Sequence, residues 1–200
     1  MVTIRQYRAR RSVGLWLLQL KTSSMKKITR VVVYQTPGNH RSATLIAGFM
    51  RFPCVIGRSG MRPQGLKTEG DGVTPQGRFH VRRIFYRADR VKRPLTSLPA
   101  TPLRRSDGWC DTTGAGVYNR HVRLPCRYGC EQMWRDDHLY DIVMEIDHNH
   151  RPRIQGRGSA VFIHLMRPDR TPTQGCVALR PRDLRLLLRH ISPETVIDIR

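Results

Sequence analysis

Cys176 and His164 are the two residues of this 200-residue chain best suited to covalent chemistry, and eleven residues separate them. A thiolate attacks acyl carbons readily, and a positioned imidazole can take the thiol proton and later return it to a leaving amine. Gly175, just before the cysteine, lets backbone approach a substrate closely, and amides at such a turn can hold an oxyanion. A Cys between Gly and Val also suits a small core position, and a lone strand-end His is often structural. Spacing alone leaves both readings open.

The elements around the pair favour a built site. Gly158 to Leu165 reads G-S-A-V-F-I-H-L, an apolar, β-branched run that predicts a buried strand ending at His164. Pro168 and Pro172 hold the next residues in an extended loop that delivers Gly175-Cys176. Leu184, Leu187, Leu188 and Ile191 then fall on one helical face, with Pro181 in the first turn and Asp183 at the positive end of the dipole. This places the thiol near a helix start, where its pKa would fall below the usual value of about 8.5.

The segment H-x(11)-C with P-T-Q-G-C-V-A-L resembles the catalytic signature of the L,D-transpeptidase (YkuD-type) family. Upstream, G-D-G-V-T-P-Q-G-R-F (Gly70 to Phe79) resembles the family's T-P-x-G-x-F segment. Between them, D-G-W-C-D (Asp107–Asp111), Y-N-R (Tyr118–Arg120) and W-R-D-D-H-L-Y-D (Trp134–Asp141) resemble one bacterial branch of it. The resemblance implies Cys176 as nucleophile and His164 as general base. Thr173 matches the family's small hydroxyl residue, and His148-Asn149 a pair lining the cleft. It also implies action on peptidoglycan stem peptides with an amine acceptor, in the cell envelope or periplasm, without a cofactor. With water in place of the amine, the same site would be a carboxypeptidase or endopeptidase. Two positions depart from the pattern. Leu165 follows the histidine where many members have Gly, and Ala178 stands where the family carries arginine. Arg180 is the nearest cation in sequence that could bind a substrate carboxylate.

The remainder of the chain fits one domain. A length of 200 residues with 39% hydrophobic content supports a single core. No apolar run approaches the roughly 20 residues that span a bilayer. Residues 1–24 read as an N-terminal extension, with a weak signal or anchor as the other reading, and 25–200 as the catalytic domain. Strand patterns cover Ile28–Tyr34, Ala43–Phe49, Phe52–Ile56, Phe79–Tyr86, Leu139–Ile146 and Val196–Ile199. The polar Gly65–Gly77 segment reads as a surface loop, and residues 87–130 as a long excursion over the active-site face. The fold class is therefore α+β and β-dominated, and the resemblance implies an L,D-transpeptidase-like sheet core with one main helix after Cys176.

A formal net charge of +21 attracts polyanions. The basic residues are scattered, however, and no nucleic-acid motif accompanies them, so no specific nucleic-acid partner is expected. A basic nucleic-acid-binding module with incidental Cys and His is the alternative from another class. His148 and His150 would share a face of an extended strand, with His138 or an Asp to complete a ligand set, but no standard spacing supports a metal. Cys54, Cys110, Cys126 and Cys130 fit either two bridges or four free thiols. The Cys126-x3-Cys130 spacing decides neither.

Overall fold

The computed structural model describes residues 27–200, so the extension read at 1–24 lies outside the described residues. In chain order the strands begin with β1 (Ile28–Thr36), β2 (Asn39–Ala47), β3 (Met50–Val55), β4 (Met61–Pro63) and β5 (Thr74–Tyr86). Four short strands follow: β6 (Ala100–Pro102), β7 (Asp107–Cys110), β8 (Arg120–Arg123) and β9 (Cys130–Gln132). Then come β10 (Ile142–Ile146), β11 (Phe162–Leu165), β12 (Val177–Leu179), helix α1 (Pro181–His190) and β13 (Ile191–Ile199).

The main sheet closes on itself. Its order runs β10-β11-β12-β3-β2-β1-β13-β5, and β5 pairs back to β10, which completes a ring of eight strands. Strand β5 makes closure possible because it is 13 residues long and serves two neighbours in succession. Gly77–His80 pair with β13, and Val81–Tyr86 pair with β10 across a register shift. A bulge there bends and twists the strand, as barrel closure requires. Alternate side chains fill the inside: Val31 and Val33 of β1, Leu45 of β2, Ile142 and Met144 of β10, and Ile163 of β11 are fully buried.

The segment from 87 to 130 is not the continuous loop that its Pro, Gly and Arg content suggests. It folds into a separate sheet of order β8-β7-β9. This small sheet covers the outer face of β10 and β11, where Phe85, Trp109, Met133, Val143 and Phe162 make a second apolar cluster together with Cys176. Strands β10, β11 and β12 are consequently buried on both faces, which is why their sequences run apolar without alternation.

Helix α1 starts at Pro181 and buries Leu184, Leu187 and Leu188 against the ring. Asp183 stands in its first turn, and Arg189 and His190 in its last, matching the dipole. Ile191, expected as the fourth apolar residue of that face, is fully buried but opens β13 instead. No helix among the described residues is long and apolar enough to cross a membrane.

Candidate active site

Strands β11 and β12 run parallel, with His164 directly opposite Ala178. Cys176 lies two residues before Ala178, so both side chains and His164 fall on one face of the sheet. That face is the outer one, beneath the small sheet. All three residues line a cavity of ≈ 460 Å³ that Tyr140, Glu131, Arg135 and Arg167 also line.

Hydrogen bonding fixes the proton on the histidine. His164 Nδ1 lies 2.8 Å from the Leu165 carbonyl, and since a carbonyl only accepts, Nδ1 carries the hydrogen. Nε2 is then the basic nitrogen. Burial, the dominant cause, depresses the imidazole pKa to about 4, so the ring is neutral. The Tyr140 ring meets it edge-on at 5.3 Å and limits its rotation.

Cys176 is 8% exposed. Its thiol donates to the Ala160 carbonyl at 3.1 Å, and Sγ accepts the Phe162 N–H at 3.3 Å. Burial pushes the thiol up to about 12, with the Glu131 carboxylate adding to the rise and Lys67 and Arg135 opposing it. The expected helix effect is absent because β12 separates Cys176 from the start of α1 at Pro181. The resting pair is a thiol and a neutral imidazole, not a preformed thiolate and imidazolium.

The turn carrying the thiol is tightly specified. Thr173 Oγ1 donates to the Cys176 carbonyl at 2.6 Å and accepts the Gly175 N–H at 3.1 Å, so that amide is already engaged. Gly175 has φ +135°, and a Cβ there would stand 2.8 Å from the Val73 carbonyl oxygen. Only glycine fits. Lys67, 3% exposed, places Nζ 3.6 Å from that same point and pairs with Asp71. The segment read as a surface loop thus supplies a buried cation beneath the Gly175-Cys176 turn.

Carboxylates dominate the other wall. Glu69, Asp111 and Glu131 line the cavity, and the pKa values of Asp111 and Glu131 are raised, chiefly by burial. Asp111 adds to the rise at Glu131 electrostatically, and Glu69 does the same to Asp111. Glu131 accepts the Tyr140 hydroxyl at 2.7 Å and an Arg135 N–H at 3.2 Å. Glu69 and Glu131 lie outside the motifs read from the sequence, whereas Asp111 closes D-G-W-C-D. Their partners Tyr118, Arg135 and Tyr140 stand in Y-N-R and W-R-D-D-H-L-Y-D.

The Y-N-R motif is the joint between this wall and the strands. Asn119 Oδ1 accepts Trp109 Nε1–H at 2.9 Å and the Ala160 N–H at 3.2 Å, while Nδ2 donates to the carbonyls of His148 and Asn149. Tyr118 donates its hydroxyl to Glu69.

Three expected site residues lie elsewhere. His148 and Asn149 line a neighbouring cavity of ≈ 430 Å³ with Arg78 and His150. His148 Nε2 bonds the Arg157 carbonyl, and Asn149 braces its own loop through Ile154 and Gly158. Arg180 is the N-cap residue of α1, exposed and turned to Asp183 at 3.6 Å. Arg167, which donates to Asp137 at 3.1 Å, and Arg135 are the guanidinium groups on the cleft. Among the described residues no cluster of His, Cys, Asp and Glu could hold a metal ion. His138 bonds Asp141 instead of approaching His148.

The model of the L,D-transpeptidase catalytic domain, YkuD, matches residues 30–199. Among solved structures, L,D-transpeptidase 1 of Mycobacterium tuberculosis is 13% identical, with a TM-score of 0.34 over 85% of this chain and 61% of that one. The chain thus spans about three fifths of that protein's length. No curated protein matches the chain. A family match that runs from β1 to the end of β13 takes in the whole ring together with the thiol and imidazole it carries, and on that ground the chain belongs to the YkuD family of L,D-transpeptidase catalytic domains.

Proposed function

We propose that this protein is a cysteine L,D-transpeptidase acting on peptidoglycan stem peptides in the cell envelope. The observation that carries the reading is the shared cavity face of Cys176 and His164, with Nδ1 tied to a carbonyl and Nε2 left basic. As Sγ attacks the carbonyl of the L,D-peptide bond, Nε2 takes the thiol proton. The tetrahedral adduct collapses to a thioester, and the same proton leaves on the amine of the expelled D-residue. An acceptor amine then attacks the thioester, giving its proton to Nε2, which returns it to the sulfur.

The cleft walls suit a zwitterionic donor. The free ammonium of a diamino acid matches the crowded carboxylates of Glu69, Asp111 and Glu131, and its presence would relieve their mutual repulsion. The donor's terminal carboxylate matches Arg167, on the cavity rim, in place of the outward-facing Arg180.

Intact-mass spectrometry tests the reading. Incubation with a carbapenem or a stem tetrapeptide should add one acyl group to the protein, and Cys176→Ala should abolish the adduct while keeping the fold. An adduct that survives Cys176→Ala would sink the assignment. With a free-acid and an amidated donor side by side, Arg167→Ala should slow acylation by the acid alone, about ten- to a hundredfold for one charge-assisted bond. An equal effect on both donors would remove Arg167 from substrate binding.

A further inference from the structure

Three of the remaining thiols converge on the small sheet. Cys110 of β7 stands opposite Cys130 of β9 in the strand register. Cys126 closes on the same point from the turn before β9, its Sγ 2.8 Å from that of Cys130. We propose that Cys126 and Cys130 are a disulfide-forming pair, oxidised by thiol–disulfide exchange, which clamps the turn that leads into the cleft wall.

Access and geometry select this pairing over the alternatives. Cys126 and Cys130 are half-buried and within reach of a small oxidant, whereas Cys110 is fully buried behind them. The distance between the two sulfurs needs only a small side-chain movement to reach a bond of about 2.05 Å. The backbone N–H of Tyr128 points at Cys126 Sγ from 3.4 Å, and Arg127 is its neighbour in sequence. The thiolate is the form that attacks a disulfide. Cys130, its pKa raised to about 12 by burial and then by Cys126, is the poorer first nucleophile. The turn is already fastened, because Thr112 Oγ1 donates to the Gly129 carbonyl at 2.8 Å.

Oxidised glutathione shows how the atoms balance. The Cys126 thiolate attacks one of its sulfurs, forms a mixed disulfide and releases one glutathione thiolate. Cys130 gives up its proton and attacks Cys126 Sγ, closing the protein disulfide and expelling the second glutathione. Two protein thiols are oxidised, one oxidant disulfide is reduced, and the two protons end on the two glutathione thiols. The effect reaches the site through the residue next to Cys130. Glu131 holds Tyr140 and Arg135 in the cleft, so a clamp at Cys130 fixes the strand from which that carboxylate projects.

Peptide mapping under non-reducing conditions tests the pairing directly. Arg127 lies between the two cysteines, so trypsin separates Leu124–Arg127 from Tyr128–Arg135 unless a disulfide joins them. After exposure of the full chain to oxidised glutathione and alkylation in denaturant, these two peptides should appear linked. Cys54, Cys110 and Cys176 should be alkylated. Reduction of the folded protein should lower its Tm by roughly 4–8 °C, the scale expected for opening a short loop in a domain of this size. Cys126→Ser should show neither the linked pair nor the Tm response. Linkage of Cys110 to Cys130 in the wild-type protein, or alkylation of all five thiols after oxidation, would overturn the proposal.

Discussion

In the proposed mechanism the proton on Cys176 leaves during the attack itself, because burial holds the thiol near 12 and the imidazole near 4. Between those values neither group is ionised in the free protein, so the acylation rate constant should stay level through pH 6.5 and decline only as pH falls toward 4, where Nε2 becomes protonated. His164→Ala should lower the rate by about two to four orders of magnitude at neutral pH. Stopped-flow acylation across pH 4–9 measures both, and a wild-type rate that halves near pH 6.5 would contradict the buried, neutral base. That Cys176 and His164 share one cavity was readable from sequence, since a proline-bounded loop between an apolar strand and Gly-Cys leaves few other arrangements. Lys67 was not, because a lysine in a Gly-rich polar segment gives no sign that folding will bury it. Arg180 was misplaced for a related reason: nearness in sequence says nothing about which side of a helix entrance a side chain takes.

At the scale of elements, the small sheet acts as the roof of the site and Asn119 as its fastening. That one side chain joins β7, Ala160, whose carbonyl accepts the hydrogen bond of the Cys176 thiol, and the His148-Asn149 loop. Asn119→Ala would strand the buried Trp109 indole N–H and several backbone groups. It should cost about 2–4 kcal/mol, from unmet donors and acceptors at roughly 1–3 kcal/mol each. Denaturant melts should show that loss, together with a fall in acylation rate larger than a remote surface change produces; a variant within 0.5 kcal/mol of wild type would show that the joint is not needed. The roof was illegible from sequence. Its strands are three or four residues long and rich in Arg, Gly and Cys, with too few positions for a period of two to emerge. Apart from the three-residue β12, the ring strands were legible as elements, yet β5 and β13 proved longer than their apolar cores. Thr74 pairs with Met61 of β4, and the Thr195 hydroxyl accepts the Ser192 N–H and donates to the Ile28 carbonyl.

For the whole molecule, acid is the natural stress. Burial holds both His148 and His164 near 4, against about 6.5 in an unfolded chain. Their contribution is therefore fully present above pH 6.5 and is lost as pH falls toward 4, where only the unfolded state gains protons. The slope is at most about 1.4 kcal/mol per pH unit for each histidine. Thermal melts from pH 7 to 4 should show it, and His148→Gln should remove about half; an unchanged slope would remove His148 from the account. Closure of the ring carries a different consequence, for the chain as it is made. Val31 has no parallel neighbour until Ile197 exists, and β5 needs both β10 and β13. A chain emerging from the ribosome cannot complete its barrel until β13 has cleared the exit tunnel. Ribosome-arrested chains should stay protease-sensitive until residue 199 is free, and early protection at the length of β12 would refute this. The delay keeps the polypeptide threadable until β13 is made, the condition under which a translocation channel can still take it across a membrane.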